Sequence, residues 1–192
     1  MFLKGSGLSK DIKDYSKNNG NIFGICGGLQ MLGTILEDPF FKEGSKVNLV
    51  HSIKGIGLLP LKTTFLESKI TRQINSKSTW PSLSEINGFE IHNGLTELDR
   101  NQDTSKIKPI FTDLDLGWYK ENSQGGSIGG TYIHGIFEND DWRDHYINLI
   151  RKNKNLPKLD KKTRSYKIKR ESIIDNLANE FDKHFNISSL LN

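Results

Sequence analysis

Cysteine is almost absent from these 192 residues: Cys26 is the only one. A single thiol cannot close an internal disulfide, which removes the cross-linked secreted scaffolds and fits a reducing, cytoplasmic setting. Long apolar runs are missing as well. No stretch approaches the roughly 20 residues of a membrane-spanning helix. The opening MFLKGSGLSKD has no apolar core of signal-peptide length, so neither a membrane partner nor export is expected. There is no CxxC, no HxxxH and no clustered carboxylate–histidine set, so no metal site is expected. The GxxxxGK[ST] phosphate loop is also missing, and the chain has no visible means of holding ATP. Internal repeats and low-complexity tracts are absent.

What remains is a globular composition, 34% apolar and 26% charged, at a length that suits one domain with a real core. The net charge of +4 is unevenly spread. Between Arg151 and Arg170 stand ten basic residues and one acid, Asp160, leaving 17 basic and 22 acidic residues elsewhere. A basic run without interleaved aromatics reads as a solvated connector rather than a nucleic-acid surface, so no nucleic-acid partner is expected.

Hydrophobic spacing predicts a helix from Ser9 to about Lys17, ended by Asn19-Gly20, then a buried strand in NIFGIC and a helix in GGLQMLGTIL with Leu29, Leu32 and Leu36 in line. GIGLLPLKTTFL, GFEIHNGL, DLGWYK and GGTYIHGIF read as short β segments. Thr71 to Asn87, rich in Ser and Asn, reads as an exposed loop. Asp140 or Asp141 starts a helix carrying Trp142, Tyr146, Ile147 and Ile150. Residues 151–170 form the basic connector, and 170–186 a last helix with Ile173, Ile174, Leu177, Phe181 and Phe185 along one stripe. The pattern is α/β with a partly parallel sheet.

The chemistry concentrates around Cys26. Gly24-Ile25-Cys26-Gly27-Gly28 has the G-x-C-x-G form of a nucleophile elbow, a strained strand-to-helix turn that needs flanking residues without Cβ. The first-turn N–H groups of the following helix favour thiolate over thiol, and the N–H of Gly27 is placed to donate to an oxyanion. The competing reading is a buried structural cysteine. Four glycines within Gly24–Gly33 favour the nucleophile. A thiolate nucleophile wants a base. Of five histidines, His145 and His184 fall in predicted helices and His51 follows KVNLV without local specialisation. His92 and His134 each end a predicted short strand before glycine. His134 is the better candidate, with Gly129-Gly130 ahead of it and Gly135 after it.

These stretches together resemble the glutamine amidotransferase domain of the cobyric acid synthase family. GICGGLQMLG is similar to its nucleophile elbow; GIGLLPLKTTF, GFEIHNGLTEL and GTYIHGIFEND follow in the family's order; RESIIDNLANEFDKHFN is similar to its C-terminal helix. The resemblance covers nearly the whole chain from about Gly7. It implies a class I glutamine amidotransferase-like, flavodoxin-like three-layer α/β fold over 1–192, with Met1 falling inside the fold so that its first strands, one oxyanion-hole loop and an N-terminal synthetase domain precede it. It also implies glutamine hydrolysis, with Cys26 as nucleophile, His134 as acid and base, and Gln30 contacting the substrate glutamine. The ammonia would pass to the synthetase domain, where ATP and Mg²⁺ serve amidation of the corrinoid adenosylcobyrinic acid a,c-diamide to adenosylcobyric acid; the chain itself would bind no cofactor. Many class I enzymes carry a carboxylate two residues after the histidine. That place here is Ile136, as in the cobyric acid synthase branch, which leaves Glu138 or Glu90 as groups that could orient a histidine, or as ordinary acids. The rival expectations are a glutaminase subunit serving a cell-wall amidating ligase, and a non-catalytic remnant.

Overall fold

A computed structural model describes residues 5–42, 51–123, 125–160 and 165–185. Helix α1 (Leu8–Lys17) starts behind Gly7 rather than from a Ser9 cap, and Asn18 closes it. Strand β1 (Ile22–Ile25) follows and leads directly into helix α2 (Gly27–Leu32). The predicted longer helix stops here. Gly33 is extended, Thr34 donates its N–H to the Leu61 carbonyl (2.7 Å), and Ile35–Glu37 forms β2, so Leu36 lies in a strand. A β-branched pair after an extended glycine suits pairing better than a further helical turn.

Two sheets result. In the first, β1 lies parallel to β8 (Ser127–Thr131), which pairs antiparallel with β7 (Gly117–Glu121), and that with β6 (Lys108–Pro109). In the second the order is β3 (Ser52–Lys54), β2, β4 (Leu61–Ser78), β5 (Ser84–Leu98) and β9 (Ile133–His134), with only β2 and β4 parallel. Thr71–Asn87 is therefore no loop. Thr71–Ser78 pairs with Ser84–Ile91 in an unbroken antiparallel register. Alternation explains it: Ile74, Ser76, Ser78 and Ile86 are buried while Asn75, Lys77 and Asn87 face solvent. The buried serines satisfy their hydroxyls on Asp113 and on the Ser82 carbonyl, so their polarity costs little.

Two apolar clusters hold the sheets. Leu29 and Leu32 of α2 pack with Ile56, Leu59, Leu61, Trp118, Ile128 and Tyr132 under the β1–α2 turn. Full burial of Leu29 alone contributes about 1.5–3 kcal/mol. The second cluster joins the far end of the β4–β5 hairpin to a 3₁₀ turn (Ile136–Glu138) and helix α3 (Asp140–Asn153), through Ile86, Ile133, Ile136, Trp142 and Tyr146. Helix α4 (Tyr166–His184) begins four residues earlier than expected, and its apolar stripe, Ile173, Ile174, Leu177 and Phe181, is exposed. The basic stretch 151–170 is divided between the end of α3, the start of α4 and a link of which 161–164 lie outside the described residues. The same holds for KVNLV before His51 and for residue 186 of the last predicted helix. No described helix is long and apolar enough to cross a membrane.

Candidate active site

Cys26 stands at φ 52°, ψ −114°, between the last residue of β1 and the first of α2. A non-glycine residue there is strained, and the strain persists only because its surroundings over-determine it. Three contacts do so. The Cys26 N–H donates to the Thr131 carbonyl (2.8 Å), continuing the β1–β8 ladder by one residue, and the Cys26 carbonyl accepts from Gln30 N–H (3.2 Å). Gly24 supplies the third. A Cβ on it would stand 2.5 Å from the Gly28 carbonyl carbon and 2.6 Å from Leu29 N, so only glycine lets the helix backbone lie this close to the strand. By contrast, a Cβ on Gly27 or Gly28 meets nothing within 4 Å. Space is open beside the first turn, where the N–H groups have no intrahelical acceptor.

The half-buried thiol donates to the Ile91 carbonyl (3.6 Å). Two residues on, the Asn93 carbonyl accepts from Gln30 Nε2 (3.1 Å), so β5 runs alongside the elbow and holds it at two points. Gln30 is itself buried, and its Nε2 also donates to the Tyr132 hydroxyl (3.1 Å), which is hydrogen-bonded to Thr96 and through it to Thr63. Burial holds the Tyr132 phenol above its ordinary pKa, so it stays a neutral hydroxyl within this network.

The two candidate histidines, His92 on β5 and His134 on β9, lie on opposite faces of the second sheet. Glu90 and His92 belong to its buried face, with His92 inside the strand rather than at its end. His92 Nε2 donates to Glu90 (2.7 Å), whose carboxylate also pairs with Arg72, and its ring stacks on Tyr132 at 3.6 Å. Its Nδ1 is buried without a partner. His134 ends β9 opposite Phe89, on the outward face, and stacks on that half-exposed ring at 5.0 Å with the planes 10° apart. The residue is only partly buried, but its Nε2 is a buried atom with no hydrogen-bond partner. No hydrogen bond therefore joins this nitrogen to the Cys26 thiol, a contact that in enzymes often forms only with substrate bound.

Neither acid orients His134. Glu90 is spent on His92 and Arg72, and Glu138 points to the surface, where it pairs with Arg170 (2.9 Å). The His51 ring packs against Phe41 at a 55° tilt, while His145 and His184 lie in α3 and α4. Sequence reasoning missed Tyr132 and Thr96, the polar pair under the elbow. Their only signal was the position of Tyr132 two residues before His134.

The model of the CobB/CobQ-like glutamine amidotransferase domain matches residues 1–142. Curated relatives bear the name cobyric acid synthase. The protein from Prochlorococcus marinus subsp. pastoris (strain CCMP1986 / NIES-2087 / MED4) is 81% identical over 191 residues, 100% of this chain and 38% of its own length. That of Prochlorococcus marinus (strain MIT 9515) is 75% identical with the same shares, and that of strain NATL2A 47% identical over 98% of this chain and 37% of its own. The chain thus spans little more than a third of these relatives. It belongs to the CobB/CobQ-like glutamine amidotransferase domain family, and its mixed α/β fold is of the class I glutamine amidotransferase type.

Proposed function

Taking that family membership as the premise, we propose that this chain hydrolyses glutamine at Cys26 and that the ammonia serves the amidation reaction of a cobyric acid synthase. The observation that carries the reading is the backbone of Cys26: a positive φ at a strand-to-helix turn, braced from three sides and opening onto free space. A structural cysteine needs no such geometry.

In this reading the Cys26 thiolate attacks the side-chain amide carbon of glutamine. The oxyanion forms beside the Gly27 N–H. His134, at the end of β9 with a ring nitrogen free of hydrogen bonds, protonates the departing ammonia as the tetrahedral adduct collapses to a glutamyl thioester. It then takes a proton from water, which attacks the thioester and releases glutamate, restoring the thiol. Glutamine and water become glutamate and ammonia. Gln30, with its Nε2 held by β5 and Tyr132, reaches the substrate through its remaining amide oxygen and by fixing the turn that carries Cys26. His92 backs the Tyr132 ring, whose hydroxyl accepts from Gln30, from the buried side. The nitrogen acceptor is a carboxylate of adenosylcobyrinic acid a,c-diamide, activated with ATP and Mg²⁺ by the synthetase part of the enzyme; the absence of a phosphate loop within these 192 residues supports that division.

Glutamate release from L-glutamine by the wild type and by Cys26→Ala, with the synthetase part of a relative added, tests the proposal. Release that depends on Cys26 is expected. Equal release from both proteins would refute it.

A further inference from the structure

His134 lacks the orienting carboxylate, yet a base must be held within a fraction of an ångström to be useful. The β5–β9 ladder that carries it has only two rungs, Glu90 with Ile133 and Phe89 with His134. In that antiparallel register Gly88 would come opposite Gly135, and the pair beyond it would set Asn87 against Ile136. It does not form, because Gly135 takes a left-handed conformation (φ 78°) and Ile136 turns into the core, where it is fully buried.

The vacant rung is filled by a side chain. Asn139 Oδ1 accepts from the Asn87 N–H (2.8 Å), and its Nδ2 donates to the Asn87 carbonyl (2.9 Å). A carboxamide offers the same donor and acceptor as a peptide group, so Asn139 pairs with β5 as a strand residue would. The same Nδ2 lies 3.2 Å from the Gly135 carbonyl and 3.1 Å from that of Ile136, closing the turn that leaves His134. Between the two rungs, Gly88 admits the His134 carbonyl to a point 2.4 Å from where a Cβ would sit.

Two details mark this as more than a turn. Asn139 is the N-cap residue of α3, where an asparagine ordinarily bonds the first-turn N–H groups, yet its side chain makes no cap bond and reaches across to β5 instead. Helix α3 is anchored by Trp142, which is fully buried and donates to the Trp80 carbonyl (3.0 Å). Asn139 therefore ties β5, the 134–138 turn and a core helix at one point.

We propose that Asn139 is a positioning residue for His134, completing the ladder that sets the imidazole against Phe89 and taking over the task of the missing acid. The inference rests on the reading of His134 as the acid and base. Asn139→Asp keeps the size and the acceptor for Asn87 N–H but loses the donor to the Asn87 carbonyl; Asn139→Ser keeps a capping hydroxyl but cannot span the gap. In the full chain, histidine-labelled for NMR, both variants should shift or broaden the His134 imidazole signals and leave those of His92 in place. Glutaminase kcat should fall on the order of 10- to 10²-fold with KM for glutamine within about twofold. If either variant folds and leaves the His134 signals and kcat unchanged, the proposal is overturned. It is equally overturned if the His92 signals move as much as those of His134, the mark of a general loss of structure. Should the wild type release no glutamate, the functional reading fails, and the NMR comparison still decides whether Asn139 positions His134.

Discussion

Replacing Gly24 by alanine strikes the elbow at its tightest point. The added Cβ would stand 2.5–2.6 Å from the Gly28 carbonyl and Leu29 N, where ordinary contact begins near 3.4 Å, so strand and helix must part by about 0.9 Å. The obstacle is backbone, and no side chain can swing away. Overpacking of this kind costs about 1–3 kcal/mol, which in a chain of this size lowers Tm by roughly 2–4 °C per kcal/mol. A displacement near 1 Å at the nucleophile costs on the order of 10²-fold in turnover. Gly28→Ala is the control one turn away: its Cβ meets nothing within 4 Å, and its helical position gains up to about 1 kcal/mol from alanine. Thermal melting of both variants, with glutaminase kcat/KM of Gly24→Ala, decides. If Gly24→Ala melts and turns over as the wild type does, or if Gly28→Ala is the less stable of the two, the account of how the turn is held is wrong.

Other outcomes follow from the opposite faces of the second sheet on which His92 and His134 lie. His134→Ala should lose about 10²- to 10⁴-fold in kcat with little change in Tm, because the residue is only partly buried and its buried Nε2 makes no hydrogen bond to lose. His92→Ala removes a buried partner of Glu90 and the ring against Tyr132, and should cost about 1–3 kcal/mol in stability. The reverse pattern in melting and steady-state kinetics would exchange their roles. At the far side of the second sheet, the Thr34 hydroxyl (2.7 Å) and the Asn101 N–H (3.1 Å) hold the Asp99 carboxyl below its ordinary pKa. A folded-state pKa below the unfolded one stabilises above the unfolded value, near 3.9, and that contribution is lost as pH falls through the folded value. Thr34→Val should flatten the fall of stability between about pH 5 and pH 2, read from urea unfolding at each pH; an unchanged slope would contradict it.

The elbow was legible because its constraint is local. Glycines at fixed offsets from a cysteine encode a close approach that Gly24 then makes. In the sequence, flanking glycines put His134 ahead of His92 as the candidate base, but the face each occupies was not legible there, because it depends on the register of β5, which in turn follows from burial of Glu90, His92 and Thr96 along one side. Those polar residues give no hydrophobic alternation to read. The same cause hid the long hairpin: Ser76 and Ser78 occupy inward positions where the pattern rule expects Val or Ile. Leu36 fell in helical register with Leu29 and Leu32, and the tertiary bond from Thr34 to Leu61 overrode that periodicity. Asn139 stands one residue before the expected helix start, and only the fold reveals that its side chain serves a strand.

The central claim, a glutamine-specific nucleophile at Cys26, is tested most directly by an electrophilic glutamine analogue and mass spectrometry of the digested protein. The account predicts a single adduct on the peptide containing Cys26, slowed by added L-glutamine and not by L-glutamate at the same concentration. Labelling that ignores glutamine, or that falls on a residue other than Cys26, would contradict it.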